Sequence, residues 1–321
     1  MSKYGFYDRL TEDFPSQVIV DLCEVCNYEC IHCPQVEFKK SGLFTGAYFD
    51  EEMNKKMVDE IAMYGIGKTQ QIRYTAAGEP LLHPKLIEIL KYAVENSKTF
   101  VSLTTNGSLM TQQMIEDLLD MQIGLIDFSL DAFHDDTYAE IRRKGNLKIV
   151  RENVLHILKR RKEKGSKTKI VVSFVEQEKN IAERDEFKKY WEEQGIDFVV
   201  LRKCHSAGGY LYHKSENVKI QPCVYPWERL ELKPNGSVEF CSTSWFNNTV
   251  ICDNFNTSTI RDIWNGPEYK QLRKEHLENK FEKYTVCADC PDRGLTIWPS
   301  DKTKTLRGYG DMIKDFSKQG E

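Results

Sequence analysis

A parallel α/β architecture is the fold class this sequence predicts, on three observations. Apolar, β-branched runs of strand length recur through the first two-thirds of the chain, helical patterns separate them, and the residues best suited to chemistry fall just after the runs. The runs are QVIVDLC (17 to 23), QQIRYTA (70 to 76), TFVSLTTN (99 to 106), GLIDFSLDA (124 to 132), KTKIVVSFV (167 to 175) and DFVVLRK (197 to 203). Between them, apolar spacing predicts helices over about 50 to 63, 84 to 96, 111 to 121, 134 to 142 continuing at 147 to 162, and 182 to 194. Crossovers between parallel strands put every strand's C-terminal end on one rim, where functional groups are expected.

That rim collects the unusual residues. Cys26, Cys30 and Cys33 follow the first strand, Gly78-Glu79-Pro80 the second, and Thr104-Thr105-Asn106-Gly107 ends the third. Ser129-Leu130-Asp131 ends the fourth, and Cys204-His205 follows the sixth. Singly, these segments also read as turns, breakers and caps. Their arrival at the same end of successive strands is the informative feature.

Composition sets the surroundings. A chain of 321 residues that is 40% hydrophobic is ample for one large core, or for one core plus a smaller appended domain. Its net charge of -4 gives no positive field for nucleic acid. The basic run Lys159, Arg160, Arg161, Lys162 and Lys164 closes a helical pattern, where cations complement the helix dipole. MSKYGFYDRL has no apolar signal region, and no apolar run of about 18 residues occurs, so the chain reads as cytoplasmic and free of membrane spans. In a reducing compartment the 10 cysteines point to metal ligation or catalysis rather than disulfides.

The cysteines form two groups. The first is CNYECIHCP, residues 26 to 34, with Cys26, Cys30 and Cys33 at C-x3-C-x2-C spacing. A zinc site would ask for a second pair, and the next cysteine in the chain is Cys204. Three ligands leave one coordination position open. Cys23, on the preceding strand, reads as a small core residue.

CNYECIHCP, followed in order by GEP, TTNG and SLDA, resembles the radical S-adenosylmethionine (SAM) enzymes over roughly residues 17 to 205. The resemblance implies a partial (β/α)6 TIM-like barrel. It also implies that Cys26, Cys30 and Cys33 hold a [4Fe-4S] cluster whose open iron chelates SAM. On the same basis the backbone at Gly78, Glu79 and Pro80 binds the methionine ammonium. Thr105, Asn106, Ser129 and Asp131 lie near ribose or carboxylate, with Arg142 a further carboxylate candidate or else an ordinary helix-surface arginine. His32 is expected to pack over the cluster rather than ligate it.

The C-terminal third departs from the alternation. ERLELKPNGSVEFC, residues 228 to 241, is two short strands around a Pro-Asn-Gly turn, and a helical segment over about 258 to 277 precedes CADC. Cys223, Cys241, Cys287 and Cys290 supply four thiols, and a zinc site and an iron–sulfur cluster both fit that count. The arrangement Cys223-x12-Gly236-x4-Cys241 followed by C-x2-C resembles the twitch domain, a shortened SPASM extension. This implies one auxiliary [4Fe-4S] cluster and hence two clusters in all, since no cysteine follows Cys290 to build another. The expected organisation is an N-terminal extension (1 to 16), a radical SAM barrel (17 to 210), a twitch domain of β-hairpin plus helix (211 to 300) and a polar tail (301 to 321). Tyr210, Tyr212, His213 and Trp227 fall in the link between barrel and twitch domain, a seam where substrate contact or core packing is expected.

The resemblance further implies oxidation of a secondary alcohol on a carbohydrate-like small molecule, with an external electron donor such as flavodoxin or ferredoxin. Two alternatives stand beside it. One is sugar epimerisation, with Cys204 or Cys252 giving the quenching hydrogen atom, although Cys252 also reads as an inert thiol. The other is thioether-type modification of a ribosomal peptide, made less expected by the 25 residues ahead of Cys26, too few for a fused leader-binding domain.

Overall fold

The computed structural model describes residues 13–207, 222–242, 245–246 and 249–295. The expectations for Tyr210, Tyr212, His213 and the C-terminal tail therefore lie outside the described residues. Six parallel strands form the first part: β1 (Gln17–Asp21), β2 (Gln71–Thr75), β3 (Phe100–Thr105), β4 (Leu125–Ser129), β5 (Lys169–Glu176) and β6 (Phe198–Lys203). They pair in chain order, as expected of a partial barrel. Helices α1 (Gln35–Lys40), α2 (Glu51–Glu60), α3 (Leu86–Asn96), α4 (Gln112–Asp120), α5 (Asp135–Ile141), α6 (Leu147–Lys164) and α7 (Arg184–Glu193) lie between them. The basic run ends α6 at Gly165, and its cations meet carboxylates: Arg160 pairs with Glu116, and Lys164 with Glu116 and Asp120.

Strand alternation sorts the side chains onto two faces. Val18, Val20, Ile72, Tyr74, Val101, Leu103, Ile126, Phe128, Ile170, Val172 and Phe174 face the helices and make the main core. The opposite, lumen-side face is mostly polar. Gln17 donates to Gln71 at 2.6 Å, Gln71 to Ser102 at 2.6 Å, Arg73 to Thr104 at 3.3 Å, and Arg202 to Asp127 at 3.1 Å. A small apolar cluster of Leu125 and Val171, with Phe100, Phe198 and Val200 against it, lies on this face near the strands' N-terminal ends. Burying so many polar groups is costly unless each is paired, so this face is built to meet something polar.

The expected hairpin forms as α8 (Tyr225–Glu228), β7 (Arg229–Leu232) and β8 (Val238–Glu239), with β9 (Val250–Cys252) completing a meander. Gly236 has φ 85°, which the turn requires and glycine permits. The hairpin does not stand apart as a separate sheet: β7 pairs in parallel with β1, extending one sheet to nine strands. The helical stretch after it divides into α9 (Ile260–Asn265) and α10 (Pro267–Glu278), because Gly266-Pro267 ends one helix and Pro267 opens the next.

An ion cluster pins the hairpin to the barrel. Lys233 Nζ lies 2.8 Å from Asp21 Oδ2 and 3.3 Å from Glu231 Oε1, with buried Glu239 opposite Glu231 in the ladder. Burial, opposed by Lys233 and reinforced by Asp21 and Glu239, raises the Glu231 carboxyl from its ordinary 4.5 to about 7. The folded protein therefore binds this proton more tightly than the unfolded chain. Glu231 then costs stability progressively as pH rises from about 4.5 to about 7. Glu231→Gln should remove a loss on the order of 3 kcal/mol over that interval. Melting temperatures of the anaerobic protein at pH 5 and pH 7 should converge in the variant relative to the wild type.

Candidate metal and cofactor site

The loop after β1 carries Cys26, Cys30 and Cys33, and three neighbouring segments brace it. From β2, Gly78 N donates to Cys23 O at 2.9 Å and Glu79 N to Val25 O at 2.7 Å, so the two loops pair like short strands. A Cβ on Gly78 would stand 1.7 Å from Val25 O, which makes glycine obligatory there. From β3, Asn106 Nδ2 donates to Asn27 Oδ1 at 2.9 Å, while Asn27 Nδ2 donates to Ser108 Oγ at 2.9 Å. From the end of α5, Arg143 O accepts from Glu29 N and Ile141 O from Ile31 N, each at 3.0 Å.

The three thiols act on one another electrostatically. Burial pushes Cys26 up to about 11 and Cys33 to about 12, and raises Cys30 as well, with neighbouring cysteines adding to the rise at Cys26 and Cys33. Such thiols ionise readily only when a metal takes the charge. Two features suit that state: Tyr28 N donates to Cys26 Sγ at 3.4 Å, and the Arg142 guanidinium faces Cys30. Arg142 is no ordinary surface residue; it is buried, donating from Nε at 2.9 Å and from Nη2 to Asp131 Oδ2. Asp131 holds φ 63°, and its other oxygen accepts from Val175 N at 2.7 Å.

His32 is held in one tautomer. Its Nε2 lies 3.3 Å from Asp131 Oδ2 and its Nδ1 3.2 Å from Gln177 Nε2, while burial lowers its pKa to about 4. Both ring nitrogens are engaged, so His32 packs beside the cysteines and offers no lone pair to a metal.

The other expected cofactor contacts separate into framework and open positions. Glu79 is buried, and its carboxylate accepts from Thr105 Oγ1, from Asn106 N at 2.8 Å and from Leu81 N at 3.1 Å. Thr105 and the side chains of Glu79 and Asn106 thus hold the rim together. What they leave for a ligand is backbone around Gly78 to Pro80 and the part-exposed Ser129 at the end of β4. Asn27, which ties the cysteine loop to the third strand, carried no motif of its own. The lumen residues Arg73, Asp127 and Arg202 were signalled only by charge within otherwise apolar strands.

The four C-terminal thiols also meet. Cys287 lies within electrostatic range of Cys241, Cys223 and Cys290, and burial drives its thiol well above the usual range. His276 Nδ1 accepts from Cys223 N at 3.3 Å. Burial lowers His276 to about 3, so its ring is neutral and Nε2 carries the hydrogen; among the described residues that buried donor has no hydrogen-bond partner. Four thiols within electrostatic range of one another are a donor set that fits an iron–sulfur cluster. Ser206 N and Oγ donate to Asp292 Oδ1 at 2.9 Å and Oδ2 at 2.8 Å, fastening the Cys287–Cys290 loop to the chain leaving β6. Among the described residues, no three His, Cys, Asp or Glu side chains converge on a single ion position.

Cys204 and Cys252 fall in different surroundings. Cys204 directly follows the end of β6, where its Sγ lies 3.7 Å from His205 O. Cys252 pairs with Val238, packs against the outer core and lies 3.8 Å from Ser258 Oγ. Its surroundings are those of an inert packed thiol.

Comparison with known proteins agrees with this geometry. Residues 20–187 match the radical SAM superfamily and residues 223–291 an iron-sulfur cluster-binding domain, SPASM. The chain belongs to the radical SAM superfamily. It is 24% identical over 328 residues to an AdoMet-dependent heme synthase of Methanosarcina barkeri, covering 87% of this chain and 92% of that one. A GTP 3',8-cyclase of Lactiplantibacillus plantarum is 30% identical over 156 residues, 47% of this chain and 43% of the relative. The crystal structure of BtrN in complex with AdoMet and 2-DOIA superposes with TM-score 0.59 at 16% identity, over 93% of this chain and 97% of that one. SuiB of Streptococcus suis bound to precursor peptide SuiA gives TM-score 0.65 at 15% identity, over 88% and 71%. At these identities the two structures establish the shared fold. The superfamily assignment carries with it SAM binding and iron–sulfur chemistry.

The close approach at Gly78 gives a test. Gly78→Ala should force the Cys23–Val25 loop outward, lowering stability by about 3 kcal/mol and abolishing SAM-dependent spectral change at the N-terminal cluster. Anaerobic SAM titration followed by optical and EPR spectra measures it.

Proposed function

We propose that this chain is a radical SAM dehydrogenase that oxidises a secondary alcohol of a polyhydroxylated small molecule, a sugar or aminocyclitol, using two [4Fe-4S] clusters. Cys26, Cys30 and Cys33 hold the SAM-binding cluster, and Cys223, Cys241, Cys287 and Cys290 the auxiliary one. The bound groups supply a 5'-deoxyadenosyl radical and a one-electron acceptor. The chain's own part is to hold the substrate between them and keep water out.

The observation that carries this reading is the fastening of the auxiliary thiol loop to the end of β6 through Ser206 and Asp292, over a lumen lined with Arg73, Asp127, Thr104, Ser173 and Arg202. A hydroxyl-rich substrate would find a surface of polar donors and acceptors there, which supports the reading. The fold likeness to BtrN supports the same substrate class. No helix among the described residues is long and apolar enough to cross a membrane; the proposal includes a cytoplasmic setting and an external electron donor such as flavodoxin or ferredoxin.

Epimerisation is a second reading, with Cys204, a thiol at the C-terminal end of β6 on the rim where functional groups collect, as the proposed hydrogen donor. The two reactions part on product. Dehydrogenation yields a carbonyl and one 5'-deoxyadenosine per turnover; epimerisation places solvent deuterium at an inverted carbon and stops in Cys204→Ala. Anaerobic protein should carry about eight irons and eight sulfides. Cys287→Ala should keep SAM cleavage but lose carbonyl formation by at least about 100-fold, the loss expected when one required group is removed. An unchanged carbonyl yield would refute the auxiliary role.

A further inference from the structure

A turn from a distant part of the chain is seated on the N-terminal cysteine loop. It joins α5 to α6 over residues 142 to 146, and its Arg143 O accepts from Glu29 N at 3.0 Å, Glu29 lying between Cys26 and Cys30. A Cβ on Gly145 would stand 2.8 Å from Tyr28 Cε2, so turn and loop are in direct contact. Lys144 holds φ 68°, a costly conformation for a lysine, and its Nζ reaches Glu29 Oε1 at 2.5 Å.

Cations gather on the outside of this contact. Arg143 and Lys144 are exposed, and α1, which opens two residues after Cys33, ends on exposed Lys39 and Lys40. Lys39 and Arg143 both lie within electrostatic range of Glu29. The carboxylates nearby are already engaged: Glu29 by Lys144, Glu37 by Lys40 at 2.7 Å, and Glu140 by Lys179 at 2.5 Å. Among the described residues Lys39 and Arg143 have no ion-pair partner. Four cations against Glu29 and Glu37 make this face positive, in a chain whose net charge is -4.

We propose that the face formed by Lys39, Lys40, Arg143 and Lys144 docks a small acidic electron-carrier protein of the flavodoxin class, which reduces the N-terminal cluster. This rests on the external electron donor of the reading above. In the transfer the reduced carrier loses one electron and the cluster held by Cys26, Cys30 and Cys33 gains it; no proton or group moves with it. The cations sit on the same short segments that carry the cysteines or brace them, so a carrier held by them is held beside the cluster loop. Opposite charges across such an interface speed encounter and fix orientation, and salt weakens both effects.

The test is calorimetric titration of the anaerobic, iron-loaded protein with flavodoxin at low and high salt, as wild type, Arg143→Glu, Lys39→Glu, Arg143→Lys and Lys159→Glu. Lys159 is 72% exposed and lies about 18 Å along α6 from Leu147, so its reversal makes the same charge change elsewhere. Arg143→Glu and Lys39→Glu should each weaken flavodoxin binding about 10-fold at low salt and less at high salt. Arg143→Lys and Lys159→Glu should bind as the wild type does, and the EPR signal of the dithionite-reduced N-terminal cluster should be the same in all five. Wild-type affinity in both Arg143→Glu and Lys39→Glu overturns the proposal. An equal loss in Lys159→Glu overturns it too, since net charge and not this face would then be responsible. So does loss of the dithionite-reduced signal in both reversals, which would make the cations a fastening for the cysteine loop alone. A wild type whose cluster is reduced by dithionite but which has no affinity for flavodoxin overturns it as well. A wild type that forms no 5'-deoxyadenosine from SAM under dithionite defeats the functional reading above instead.

Discussion

The backbone of Gly78 and Glu79 lies against the carbonyls of Cys23 and Val25, and the rest of the site depends on that contact. Two loops from neighbouring strands approach to hydrogen-bonding distance where no side chain fits between them. The approach sets the height of the cysteine loop over the sheet. It also turns the Glu79 carboxylate inward, where Thr105, Leu81 and Asn106 satisfy it. A carboxylate buried this way ties the ends of β2 and β3 together, because Leu81 follows β2 while Thr105 and Asn106 close β3. Arg142 and Asp131 repeat the device on the other side of the loop, with the cation turned toward Cys30.

The two ends of the chain are mechanically one object. β7 extends the parallel sheet beyond β1, Lys233 ties the hairpin to Asp21, and Asp21 in turn accepts from Ala77 N at 2.6 Å, next to the Gly78 contact. On the far side, Asp292 holds the second thiol loop to the exit of β6. The distance between the two cysteine sets is thus set by the sheet and by two polar fastenings rather than by a linker. On the function proposed above this matters, since a substrate carbon held between two clusters has to be presented to both without slack.

Much of this was legible in the sequence for a simple reason: strand and helix periodicities are local, and cluster cysteines must be close in the chain to lie on one loop. The six runs became six strands, CNYECIHCP became the loop, and KPNG became the turn. Elements below one or two turns were not legible. α1 follows Cys33-Pro34 with only six residues, and β9 has three. The helical pattern over 258 to 277 concealed its break, although Gly266-Pro267 stood in plain view.

Sequence by itself determined the parallel α/β class, the rim on which chemistry collects, and the two thiol sets with their unequal ligand counts. Tertiary structure decided which rim residues are framework and which face a ligand. It also decided that Arg142 is buried against Asp131 and that Cys252 packs against the outer core. The division has a physical origin. A motif reports which atoms are available within a few residues, but the charge, burial and partners of each atom come from segments distant in sequence, and those exist only once the sheet has closed around them.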